Sequence, residues 1–148
     1  MTDVASYLQL FLPMLWLGMV IAISFLEAPI KFRAPGVTLA LGLGIGRLVF
    51  RALNAAEVVL AVLLVICCLL AAPSGVGWAL VIAVVATLAI QIGVVRPPLT
   101  RRSNRILAGE DAPRSRVHFV YIGLEVVKIG LLVALAIALV GPVVDRLS

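Results

Sequence analysis

Three ionisable side chains stand inside otherwise apolar runs of the chain: Glu57, Glu125 and Lys128. Burying such a group at membrane depth costs a few kcal/mol, so each is expected to face protein rather than lipid. Two carboxylates and one amine can hold a cation, relay a proton, or neutralise one another as internal glue. At 100° per residue, His118, Tyr121, Glu125 and Lys128 fall within about 80° of arc and form one stripe along a helix. Arg51, Asn54 and Glu57, at i, i+3 and i+6, form a second stripe, and Gln91 can join them from a third helix. Two such stripes facing each other would make a small polar core. The plainer reading stands beside it: Glu125 and Lys128, at i, i+3, neutralise each other, and Arg51 snorkels to Glu57 or to a headgroup.

Other residues carry less chemistry. His118 is the only histidine and cannot supply bis-histidine haem ligation. Cys67 and Cys68 are adjacent, without the C-x-x-C spacing of dithiol redox sites, and read as small packing residues. Gly42-x-Gly44-x-Gly46 follows no strand and fits neither nucleotide-loop pattern. Gly42 and Gly46 are instead spaced for close helix approach. No metal-ligand set is visible, and no cofactor can be assigned.

The elements that must position these residues follow from composition. Of 148 residues, 64% are hydrophobic and 13% charged, with a mean hydropathy of +1.23. A soluble domain of this size cannot hide so much apolar surface, which excludes an ordinary cytosolic enzyme, a disordered chain and a secreted disulfide scaffold. The uncharged run from Val58 to Val95 is about 57 Å long as a helix, close to twice a bilayer's hydrocarbon core. Pro73-Ser74-Gly75 breaks it in the middle. The chain therefore reads as an all-α integral membrane four-helix bundle, a single domain with spans near 5–27, 52–72, 77–95 and 117–141. Residues 37–51 are apolar and helix-compatible, and read as interfacial, re-entrant or an extension of the second span. Pro13 is expected to bend the first span.

Ten of the twelve basic residues lie in two connections: Lys31, Arg33, Arg47 and Arg51 in one, Arg96, Arg101, Arg102, Arg105, Arg114 and Arg116 in the other. The positive-inside bias makes both connections cytoplasmic and puts both termini outside, in a plasma (inner) membrane. Lys31, Arg33, Arg101, Arg102 and Arg105 are expected to face anionic lipid, so membrane lipids are partners. Nothing aromatic is interleaved with the arginines, so nucleic acid is not. The first span lacks a basic leader and exceeds a signal-peptide core in length, so it reads as a retained helix.

A weak internal repeat runs through the spans. Glu57-Val58-Val59 and Leu63-Leu64-Val65 recur, at the same spacing, as Glu125-Val126-Val127 and Leu131-Leu132-Val133. Glu27-Ala28-Pro29 and Arg96-Pro97-Pro98 end the preceding spans alike. Two helical hairpins related by an axis along the membrane normal would give this pattern, as would chance recurrence of Val and Leu.

The stretch Ser24-Phe25-Leu26-Glu27-Ala28-Pro29-Ile30-Lys31-Phe32 resembles the small-x-x-x-Ala-Pro-x-x-Phe segment of a group of four-helix membrane proteins, a domain of unknown function found in bacteria and eukaryotes. Arg47-Leu48-Val49-Phe50-Arg51 and Arg116-Val117-His118 continue the likeness. The resemblance implies four spans in this order and implies no activity. That group's last helix lacks the Glu125–Lys128 pair, which would belong to this chain alone.

Three functions compete on these grounds. The first is a small transport or ion-coupled protein, assembled as a homo-oligomer because four helices are few for a pore, with Glu57 and Glu125 in its polar site. The second is an accessory subunit held by a partner membrane subunit, without chemistry of its own. The third is a membrane enzyme or redox protein acting on a lipid-soluble substrate near His118 and Tyr121.

Overall fold

The computed structural model describes residues 1–113 and 116–148; Arg114, one of the arginines of the second connection, lies outside the described residues. Among the described residues are four long helices and no strands: α1 (Thr2–Arg33), α2 (Leu39–Leu70), α3 (Gly75–Leu107) and α4 (Arg116–Leu147). Each is long and apolar enough to cross a membrane. The protein is an all-α bundle of membrane-spanning length. Consecutive helices pack side by side, and α1 closes the ring against α4. The Thr38 hydroxyl caps α2 by accepting from the Leu41 amide, and Ser74 caps α3 by accepting from Gly77.

The helices overrun the spans read from the charges. Residues 39–51 are the first turns of α2, so of the three readings of that segment the helix extension is the one observed. Arg96-Pro97-Pro98 does not end α3, which continues to Leu107. In α1 the Ala28-Pro29 step is likewise passed in helical form, and the helix ends at Arg33. Proline carries no N–H and frees the carbonyl four residues earlier, so the ladder must slip rather than stop. Both slips are visible. A π-helical stretch, Ile21–Glu27, precedes Pro29, and another, Gln91–Val95, precedes Pro97.

The bundle is built in layers. The half nearer the termini holds a dry core that includes Leu12, Leu64, Cys68, Val84, Leu135 and Leu139. Gln9 and Arg146 tie off the end of α2 there: Gln9 Nε2 donates to the carbonyls of Cys67 and Ala71, and Arg146 donates to those of Ala71 and Ala72. Carbonyls in the last turn of a helix have no intrahelical partner, so these side chains replace water in a place lipid cannot supply it. Toward the basic connections the core gives way to polar residues and then to a cavity. Large apolar side chains such as Phe11, Leu69, Ile82 and Ile137 face outward, as lipid contact requires.

Candidate functional site

The middle layer gathers polar side chains from all four helices. Lys128 lies between the two carboxylates, with Nζ 2.5 Å from Glu57 Oε1 and 2.9 Å from Glu125 Oε1. It also donates to Gln91 Oε1 at 2.7 Å, which uses all three of its protons. Gln91 Nε2 in turn donates to Glu125 Oε1 at 2.7 Å, and Ser24 donates to Glu125 Oε2 at 2.8 Å. Trp16 Nε1 donates to Glu57 Oε1 at 2.8 Å. With its amide turned to suit both neighbours, Asn54 donates to Glu57 Oε2 at 3.3 Å and accepts from Arg96 Nε at 2.7 Å. Trp16, Glu57, Gln91, Glu125 and Lys128 are each no more than 1% exposed.

Local structure explains how these residues meet. Glu57 and Glu125 sit on regular stretches of α2 and α4, which are diagonal across the ring, and the long lysine chain spans the gap. Gln91 and Ser24 sit in the two π-helical stretches. Widening the helix by one residue per turn re-aims their side chains, and both now end on Glu125. Two carboxylates and one ammonium leave an excess of one negative charge. Arg96 offsets it through Asn54, so the knot is close to neutral as a whole. A neutral, fully hydrogen-bonded cluster is the form in which ions are tolerated in a low-dielectric interior.

On the side of the basic connections, the knot opens into a cavity of about 520 Å³. Glu125 and Ser24 form part of its floor, and Tyr121, 7% exposed, lines it with a hydroxyl that has no hydrogen-bond partner among the described residues. Its walls come from the helix extensions: the end of α1, the first turns of α2, the end of α3 and the start of α4. Gly42 and Gly46 make the wall possible. A Cβ at Gly42 would collide with the Phe32 ring, and one at Gly46 would press on Lys31 Nζ. The Phe50 ring stands edge-on to Tyr121 at 5.8 Å and lies within 6 Å of Lys31 Nζ and the Arg96 guanidinium.

The residues singled out from sequence separate accordingly. Glu57, Glu125, Lys128, Gln91 and Asn54 come together in the knot, and Tyr121 and His118 line the cavity beside it. Arg51 is exposed and does not partner Glu57, so of the two partners expected for it only a headgroup remains; the arginine that reaches the knot is Arg96, one helix away and just before the α3 prolines. Lys31 does not face lipid, since its side chain is only 10% exposed, pairs with Glu27 at 3.3 Å and turns into the cavity. Arg102 is also turned inward, donating to the carbonyls of Pro113 and Ala112. Arg33, Arg101 and Arg105 are exposed, and Arg105 pairs with Glu110. Trp16, Ser24 and Arg96 were not foreseen as part of the knot. A tryptophan N–H and a serine hydroxyl in an apolar span each need a partner, and that was the available signal.

Among the described residues, no group of three or more His, Cys, Asp or Glu side chains could hold a metal ion. Comparison with family models, with curated proteins and with solved structures finds no match to this chain.

Proposed function

We propose that this small multi-pass membrane protein is an ion-coupled transport protein in which the Glu57–Lys128–Glu125 cluster is the coupling site. One observation carries the reading: a single buried ammonium is shared by two carboxylates, and only Glu125 of the two reaches the cavity. A proton arriving on Glu125 through the cavity would cancel one of the two attractions on Lys128 and leave it paired with Glu57. That is a two-position element whose balance one proton can shift, the arrangement a coupled carrier needs. The dry core on the terminal side supports access from one side at a time.

The positive-inside bias supports a cytoplasmic cavity, with both termini outside. Assembly of several copies fits the small helix number, and a cross-linked ladder in native membranes would reveal it. The direct test is proton movement into proteoliposomes driven by a potassium diffusion potential and read by a trapped pH dye. Protein-dependent uptake that disappears in a Glu57→Gln/Glu125→Gln variant is expected. Uptake unchanged by that double substitution would refute the reading.

A further inference from the structure

We infer that the cavity beside the knot is a binding site for a phosphate-headed amphiphile, drawn from the surrounding bilayer. The inference goes beyond ion coupling and stands whether or not ions move through the knot.

Charge is the first ground. Lys31, Arg47, Arg96 and Arg102 line the cavity, against one carboxylate, Glu125. Both oxygens of that carboxylate are already occupied by Ser24, Gln91 and Lys128, which mutes its repulsion of an anion. Lys31 pairs with Glu27 and Arg96 offsets the knot through Asn54, while Arg47 and Arg102 have neutral partners, Asn104 and the Pro113 and Ala112 carbonyls. A single carboxylate ligand would be satisfied by one arginine fork. Cations lining one cavity from three helices suit a group with several anionic oxygens, and phosphate is that group.

The second ground is an unmet hydrogen bond. The buried Tyr121 hydroxyl lines the cavity without a described partner at hydrogen-bond distance, its ring edge-on to Phe50, which the Arg96 guanidinium also approaches. A buried hydroxyl left unpaired is costly, so a ligand oxygen there has a place prepared for it.

The third ground is the rest of the lining. Phe25, Phe32, Leu43, Leu99 and Ile122 are apolar, and a free phosphate would gain nothing from them. Phe25, Phe32 and Ile122 are also more than a third exposed, so the cavity is open beside apolar side chains. Cations on one part of the wall and an apolar opening describe a headgroup and a chain in that order. The volume lies within the roughly 300–1,000 Å³ usual for ligand sites.

The test uses the full chain in a neutral maltoside detergent, read by native mass spectrometry and by titration. Dodecyl phosphate, dodecanol and inorganic phosphate are the three probes. Retention of one dodecyl phosphate per chain is expected, with neither of the other two retained at equal concentration. Tyr121→Phe removes only the unpaired hydroxyl and keeps the ring contact, so it should melt no lower than the parent yet bind about ten-fold more weakly. Arg96→Gln should weaken binding at least as much. Arg101→Gln, exposed and outside the cavity, should bind as the parent does. Equal retention of dodecanol would reduce the site to an apolar cavity and overturn the inference. Equal binding of inorganic phosphate would remove the amphiphile. Unchanged dodecyl phosphate binding in Tyr121→Phe, or a loss in Arg101→Gln as large as in Arg96→Gln, would leave only surface attraction.

Discussion

Replacing Lys128 by methionine keeps the unbranched chain, one atom shorter, and removes its charge and three donors. In the folded protein that change strips contacts from Glu57, Glu125 and Gln91 together and leaves two carboxylates buried without their shared cation. Polar contacts between membrane helices contribute about 0.6–2 kcal/mol each, so three of them amount to roughly 2–6 kcal/mol. Breaking a buried ion pair by deleting one partner costs about 3–5 kcal/mol, an independent figure in the same range. At about 2–4 °C per kcal/mol for a chain of this size, Lys128→Met should lower the melting temperature in detergent by roughly 6–12 °C if the loss is near 3 kcal/mol. The diagnostic lies in the combinations. Were Lys128 paired with Glu125 alone, Lys128→Met/Glu125→Leu would recover most of the stability. Because Glu57 loses the same nitrogen, that double variant leaves Glu57 without its direct ion pair, held only by Trp16 and by Asn54 with Arg96 behind it, and should recover only part. The triple variant Glu57→Gln/Lys128→Met/Glu125→Gln leaves no charge at the three positions and only Arg96 beside them, on the cavity wall, and should recover most of it. Full recovery in the double variant, or a Lys128→Met protein that melts like the parent, would refute the shared-cation reading.

Two further outcomes follow from the packing around the knot. Gln9→Leu removes both Gln9 bonds to the end of α2 and leaves Arg146 alone there, so amide exchange over residues 68–72 should quicken while proton uptake in proteoliposomes is unchanged. Gly42→Ala would set a methyl against the Phe32 ring and force it out of the cavity wall, lowering stability by about 1–3 kcal/mol in a detergent melt.

The fold was legible in the sequence because lipid leaves few choices. Once Glu27, Arg51, Arg96 and Arg116 are read as the edges of apolar runs, four helices are the only spanning solution. The cavity was not legible for the same reason: charges mark where the apolar runs end, so a helix extension is only one of three readings for 37–51 and is no part of the reading for 96–107. The helices do not end with the runs, because a helix keeps its own hydrogen bonds at an interface as readily as in lipid. The extensions at 39–51 and 96–107 wall the site. The two acidic stripes were visible at helical spacing. Gln91 was visible as a side chain that could join them, but Ser24 was not, since it reaches Glu125 from a π-helical stretch, where counting at 100° per residue points a side chain the wrong way. Lys31 and Arg96 illustrate the same limit. Each lies at a span edge, where snorkelling outward is the default expectation, yet a phenylalanine ring and a neighbouring polar group draw each one inward.

The placement of charge differs between the two hairpins in a way that matters for the site. Glu57 and Glu125 correspond at an offset of 68 residues, but the residue matching Lys128 is Leu60. Leu60 is buried in the apolar core, so the first hairpin has an acid and no amine at this level. Where the first hairpin carries Glu27 before its proline step, the second carries Arg96. Glu27 is satisfied locally by Lys31, one turn on, whereas Arg96 reaches across to Asn54 and only through it to Glu57. The second hairpin thus supplies both cations of the knot, and the first supplies Glu57, the acid that the second hairpin alone would not need. Each hairpin by itself would bury an unbalanced charge, Glu57 in one and a surplus cation in the other. Joined, they cancel. The knot therefore favours this pairing of hairpins over any looser one, and it does so at the level of the bundle where the cavity begins.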